Sequence, residues 1–217
     1  MPPQMTAIAS TVVPTYYRSA KVDGLNIAYR EAGDPGSPKL VLLHGFPASS
    51  HQYRNLIPAL VSIVSHTGGK LEYENFLSNF KNARTPQEET RYLFALANFR
   101  QPELIGQTLK LVLSAEVRTQ NAPYLLRSLL FNTAAREPAW SFMKSHWEEM
   151  LREFPDNSIP RMCEGIVALV TRDLESDVRN FFTSHPVKQG TRQIEQHLER
   201  LRIAVARKEA WKELLRA

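Results

Sequence analysis

Between Trp140 and Phe154 the large apolar residues Trp140, Met143, Trp147, Met150, Leu151 and Phe154 recur with a 3.6-residue period over four turns. Such a stretch is an amphipathic helix, and its stripe must be buried against another element. The same period returns at Tyr92, Leu96 and Phe99, at Ile105, Leu109 and Val112, and at Ile194, Leu198, Leu201 and Val205. Thr85-Pro86-Gln87-Glu88 is a helix start: Thr85 caps, Pro86 suits the first helical position, and Glu88 stands at the capping-box position. The pattern predicts helices over 71–83, 86–99, 102–114, 120–132, 137–154, 159–170, 174–184 and 191–215. Eight short amphipathic helices with tight connections imply a mainly α fold, either an irregular helical bundle or, the arrangement favoured here, an α-solenoid of stacked helical hairpins. In that arrangement 71–83 pairs with 86–99, and 102–114 with 120–132. No sharp internal repeat is visible.

The first 60 residues have a different texture. Val22-Asp23-Gly24-Leu25-Asn26-Ile27-Ala28-Tyr29 reads as a hairpin with Asp23-Gly24 at the turn. Gly33 to Pro38 is a loop by composition. Leu40-Val41-Leu42-Leu43 is a short apolar run that fits a strand buried on both faces. The expected division is a flexible N-terminus over 1–15, a first segment over 16–63 and a helical domain over 64–217. Ser65-His66-Thr67-Gly68-Gly69-Lys70 is the best linker candidate.

Composition closes off several classes. Apolar residues make up 43% and charged residues 23%, so the chain can bury a core. A single cysteine, Cys163, excludes an intramolecular disulfide and a multi-cysteine zinc site. No apolar run is long enough to span a membrane, and Met1 to Pro14 has no secretory signal pattern. The expected location is therefore cytoplasmic. The net charge of +5 is modest, with +2 in residues 1–63 and +3 in the rest. Signs alternate along helices, as in Arg192…Glu195…Glu199-Arg200, so a solvated helix face is favoured over a nucleic-acid stripe.

From about Tyr16 to Leu60, the residues Val22-Asp23-Gly24-Leu25-Asn26-Ile27-Ala28-Tyr29-Arg30-Glu31-Ala32-Gly33 and Leu40-Val41-Leu42-Leu43-His44-Gly45-Phe46-Pro47 resemble the start of an α/β-hydrolase. The type is that of epoxide hydrolases and haloalkane dehalogenases. Ser49 to Leu60 resembles that family's following helix. The resemblance implies that His44, Gly45 and Phe46 are an oxyanion-hole-like remnant, with the Phe46 N–H as donor. No nucleophile elbow follows, and no downstream Asp and His stand in triad order. The resemblance thus implies a truncated hydrolase start.

From about Val64 to Ala217 the chain resembles the C-terminal end of gluzincin zinc aminopeptidases, the family of aminopeptidase N and of the endoplasmic-reticulum aminopeptidases. The residues that carry this are Thr85-Pro86-Gln87-Glu88-Glu89, Arg91-Tyr92-Leu93-Phe94-Ala95-Leu96-Ala97, Glu116 to Arg127, Ala139-Trp140-Ser141-Phe142, Arg161-Met162-Cys163-Glu164-Gly165 and Gln196 to Arg202. The resemblance implies an all-helical, HEAT-like domain that closes the peptide cavity of such enzymes. Their zinc is held upstream by a His-Glu-x-x-His helix, which is absent here; His146-Trp147-Glu148-Glu149-Met150 lacks the second His. No zinc ligand is therefore expected in this chain, and no other cofactor.

No residue is expected to be catalytic. Arg127 and Arg161 are the candidates for contact with a peptide, although structural hydrogen bonds are the more ordinary use of such residues. Cys163 reads as a buried inert thiol and the Trp140–Phe154 stripe as core. The reading is a catalytically incomplete hybrid whose helical part acts, if at all, as a peptide- or protein-interaction module. The alternatives are a hydrolase related to α/β-hydrolases and a basic helical nucleic-acid binder. Exposed apolar surface at an open end of the helical stack would favour self-association.

Overall fold

The computed structural model describes residues 15–32, 41, 56–187 and 189–215. The chain divides into two compact units, Met1–Leu60 and Val61–Ala217. In the first, β1 (Thr15–Val22) and β2 (Leu25–Ala32) form an antiparallel hairpin with Val22 opposite Leu25. Asp23 and Gly24 both have positive φ, 49° and 82°, the type I′ geometry that matches strand twist. This is the turn the Asp-Gly pair predicts. The hairpin runs further in both directions than the Val22–Tyr29 signal. Residues 18–29 are exposed. Of the apolar run Leu40–Leu43 only Val41 is described, and it is 73% exposed and in no strand. The expected doubly buried strand is thus not seen at that residue, which has no partner strand among the described residues. His44, Gly45, Phe46 and the expected flexible N-terminus up to Pro14 lie outside the described residues.

The second unit is helical. Following α1 (Leu56–Thr67), which starts before it, come α2 (Lys70–Lys81), α3 (Pro86–Leu96), α4 (Pro102–Val112), α5 (Ala122–Phe131), α6 (Arg136–Ser145) and α7 (Trp147–Glu153). Then follow α8 (Ile159–Met162), α9 (Arg172–Ser184) and α10 (Thr191–Leu214). The stretch 65–70 is not a loose linker. It is the end of α1, a Gly68-Gly69 turn and the start of α2, with Ser65 buried. The Gly69 N–H donates to Glu72 Oε2 at 2.8 Å and closes the first turn of α2.

Local signals start several helices where the sequence places them. Thr85 Oγ1 accepts the Glu88 N–H at 3.2 Å, and Pro86 begins α3. The Glu88 carboxylate takes the Arg84 N–H rather than that of Thr85, one residue off a strict capping box. Thr171 caps α9 by accepting the Leu174 N–H at 3.3 Å. That cap starts α9 two residues before the position that the apolar pattern suggests.

Helices α2 and α3 pack together, as do α4 and α5. Helix α5 is the centre of the unit, in contact with α3, α4, α6, α8 and the 3-10 segment Cys163–Ala168. Its Leu125, Leu126, Leu129 and Leu130 are fully buried. Burial of each such side chain is worth ~1.5–3 kcal/mol. Helix α10 lies against α8, α9 and the same 3-10 segment through Ile194, Leu201 and Val205.

Two expected helices are divided. The single helix expected over 137–154 breaks at His146, which has φ −117° and ψ 20°. The cause is local: His146 Nδ1 lies 3.0 Å from Phe142 O and the imidazole packs on the Phe142 ring at 4.2 Å, a C-cap built from the side chain. The stripe survives the break, because Trp140, Met143, Trp147, Met150 and Phe154 are all buried. The helix expected over 159–170 is four residues of α8 followed by 3-10 turns. These turns run close to α5: a Cβ on Gly165 would stand 2.6 Å from Leu130 Cβ.

Candidate functional site

The two candidate peptide contacts stand on neighbouring elements, Arg127 on α5 and Arg161 on α8. Arg127 Nε pairs with Glu164 Oε2 at 3.2 Å, and its guanidinium lies 5.8 Å from the Phe131 ring centroid. Both members of the pair are about one-third exposed, so the bridge ties α5 to the Cys163–Ala168 turns without sealing either charge from water. Arg161 is exposed and has no ion pair among the described residues. The two arginines therefore differ in kind: one is tied to a carboxylate on another element, the other has no ion pair among the described residues.

An open depression along α10 is lined by Arg192, Glu195, Gln196, Glu199 and Arg200. Its lining carries both signs of charge and provides no nucleophile–base pair. Glu199 is held by Arg202 at 2.6 Å.

His197 is the residue that sequence reasoning passed over. It is 9% exposed, and Nε2 lies 3.1 Å from the Pro160 carbonyl. A carbonyl only accepts, so Nε2 carries the hydrogen. Nδ1 is buried with no hydrogen-bond partner among the described residues. The signal was present, since His197 falls between Ile194 and Leu201 on the buried stripe of α10. Burial lowers the ring's pKa; the Pro160 bond and the Glu164 charge work against this, and Arg200 and Arg127 reinforce it.

Other polar ties join helix ends. Asn132 Nδ2 donates to Ala97 O and Phe99 O, both at 2.8 Å. Arg136 donates to Ala168 O at 2.8 Å, and Lys208 to Val170 O at 2.8 Å. Cys163 is fully buried and burial pushes its thiol far up, as expected of an inert residue. His66 is exposed, and His185 repeats the His146 device, stacking on Phe181 at 4.3 Å. Among the described residues no group of three or more His, Cys, Asp or Glu could hold a metal ion, so zinc is assigned to none of them. No described helix is long and apolar enough to cross a membrane.

The family model of the ERAP1-like C-terminal domain matches residues 42–203. The chain belongs to that family. The match takes in α1 to α9 and half of α10, and it begins inside the segment that resembles a hydrolase. The chain is 32% identical over 146 residues to "Aminopeptidase M1-A" of Oryza sativa subsp. japonica, covering 67% of this chain and 16% of that protein. It is 28% identical over 130 residues to "Leucyl aminopeptidase" of Saccharolobus solfataricus, covering 59% and 17%. The chain thus spans about a sixth of the length of these relatives. A separate match, 47% identical over 51 residues, is to "Uncharacterized hydrolase YNR064C" of Saccharomyces cerevisiae, covering 24% of this chain and 18% of that protein.

Proposed function

We propose that residues 64–217 act as the cavity-closing module of an M1-type aminopeptidase, binding a peptide or protein rather than cutting one. The observation that carries this is the family match over 42–203 together with relatives named aminopeptidases. The pairing of α2 with α3 and of α4 with α5 supports a HEAT-like stack. Arg161, exposed and unpaired among the described residues, and Arg127 are the groups that would meet a peptide carboxylate. A cytoplasmic setting is part of this proposal.

The test is fluorescence anisotropy of the full chain with a pool of labelled nonapeptides. Saturable binding is expected, weakened about tenfold by Arg161→Ala through loss of a charge-assisted hydrogen bond. No saturable binding, or binding indifferent to both Arg127→Ala and Arg161→Ala, defeats the reading. Release of product from a leucine amide substrate by the pure chain would defeat its non-catalytic half.

A second reading concerns residues 16–63, which we propose derive from an α/β-hydrolase. The 51-residue match to a yeast hydrolase supports this, with His44, Gly45 and Phe46 as the oxyanion-hole-like remnant. Hydrolysis by this segment is not favoured, since the sequence has no nucleophile elbow. A fluorophosphonate probe is expected to leave the chain unlabelled; stoichiometric labelling would reverse that. Nucleic-acid binding is not favoured either, and a steep salt-dependent affinity for RNA or DNA would revive it.

A further inference from the structure

We propose that His197 is a pH-sensitive latch that holds the N-terminal half of α10 on α8 at neutral pH and lets it lift on acidification. The latch is the bond from Nε2–H to Pro160 O at 3.1 Å, which joins the two elements across a buried contact. Only the neutral ring fits there. Nδ1 is buried and has no partner among the described residues, so its lone pair tolerates the site while an N–H and a positive charge would not.

Among the described residues, the charges that act on the ring are those of Glu164, Arg200 and Arg127. Glu164, on the 3-10 turns, favours a proton on the ring, but it is already engaged by Arg127 at 3.2 Å. Arg127 of α5 and Arg200 of α10 itself both oppose it. Burial adds to the two cations, and the ring's pKa lies below its ordinary value.

Gly190 precedes α10 with φ +78°, and a Cβ there would meet Pro160 Cγ at 2.3 Å. The residue before the helix therefore rests on the same proline whose carbonyl His197 holds. Further along, Val205 is buried and Lys208 donates to Val170 O, so the C-terminal half keeps anchors of its own. The inference does not depend on the proposed peptide-binding role.

Opening that exposes His197 takes up one proton below the ordinary imidazole pKa of about 6.5. Between the ring's lowered folded value and its ordinary one, the opening equilibrium then rises by up to about tenfold per pH unit. The experiment is hydrogen exchange by mass spectrometry on the full chain at pH 7.5 and 5.5, with labelling times scaled for intrinsic exchange. Protection of amides 194–200 is expected to fall, by up to about tenfold, in the wild type while that of α5 holds. In His197→Gln, which keeps an N–H donor but does not ionise, α10 protection is expected to be the same at both pH values. Unchanged α10 protection in the wild type, or an equal fall in His197→Gln, overturns the proposal. Should that variant not fold, NMR titration of the wild-type ring decides. A ring pKa below 6.5, with α10 amide shifts titrating in step, supports the latch; one at or above 6.5 overturns it.

Discussion

The indole Nε1 of Trp140 donates to Asp177 Oδ2 at 2.6 Å, a bond that joins α6 to α9. Lys144 Nζ reaches the same oxygen at 2.6 Å and stands 5.3 Å from the Trp140 ring centroid. One carboxylate therefore satisfies a buried indole N–H and a lysine at once. Around it Trp140, Trp147, Phe181 and Phe182 pack edge to face, with Trp140 and Phe181 centroids 5.2 Å apart.

Asp177→Ala leaves the Trp140 N–H without its acceptor. Loss of about 1–3 kcal/mol is expected, the cost of an unmade buried hydrogen bond. Asp177→Asn keeps an acceptor oxygen and loses only the charge, so it should cost less. Urea unfolding of the two variants checks the order; equal costs would show that the charge, not the acceptor, matters.

The same pair gives a pH dependence with a definite sign. Burial alone would raise the Asp177 carboxyl, but hydrogen bonds from Lys144 and Trp140 and the Lys144 charge outweigh it and hold the group below its ordinary value. Its contribution is complete above the unfolded value of about 3.9 and is lost as pH falls through the folded value. The wild type's stability advantage over Asp177→Asn should therefore shrink below about pH 4. Denaturation midpoints at pH 7, 5 and 3 measure it, and an advantage that grows on acidification contradicts the assignment.

Glycine to alanine is expected to act in opposite directions at two sites. At Gly165 the new Cβ would meet Leu130 Cβ at 2.6 Å, Leu130 Cδ1 at 2.7 Å and Arg127 O at 3.2 Å. Overpacking of this kind costs about 1–3 kcal/mol. At Gly106, inside α4, nothing lies within 4 Å of the added atom. There alanine should stabilise by about 0.5–1 kcal/mol through helix propensity. Thermal melts of Gly165→Ala and Gly106→Ala give the two signs directly.

Asn132→Ala removes donors from Ala97 O and Phe99 O and the acceptor for the Ala134 N–H. It should cost about 1–3 kcal/mol. Asn132→Asp is nearly isosteric yet sets a carboxylate against two carbonyls, so it should cost more than alanine at pH 7. The reverse order in urea unfolding would mean that shape rather than donation fixes the site.

Tyr73 Oη and Thr108 Oγ1 lie 3.0 Å apart, and both residues are fully buried. Thr108→Val strands the tyrosine hydroxyl and should cost about 1–3 kcal/mol, while adding Tyr73→Phe removes the stranded group. The double variant is expected to be less destabilised than the sum of the singles, as a double-mutant cycle would show. Strict additivity would deny the coupling.

Helix existence was legible because burial leaves a 3.6-residue trace. Tyr92, Leu96 and Phe99, or Ile105, Leu109 and Val112, need only one face covered, whatever covers it. Thr85-Pro86 and Asp23-Gly24 were legible because caps and turns are local. The break at His146 was not, because the apolar stripe runs through it in register and the imidazole-to-carbonyl bond leaves no periodic mark. At the candidate site Arg127 and Arg161 were visible as residue types, but the Arg127–Glu164 pair joins two elements 37 residues apart in sequence.

The sequence by itself determined which stretches are helical, where several of them begin, and the turn of the N-terminal hairpin, since each is set by neighbours within a few residues. Only the tertiary structure decided which polar groups are stranded or satisfied. His197 meets Pro160 O, Asp177 meets Trp140, and Asn132 holds the carbonyls that follow α3. Each bond closes between positions more than 30 residues apart, and its strength comes from the water that packing excludes.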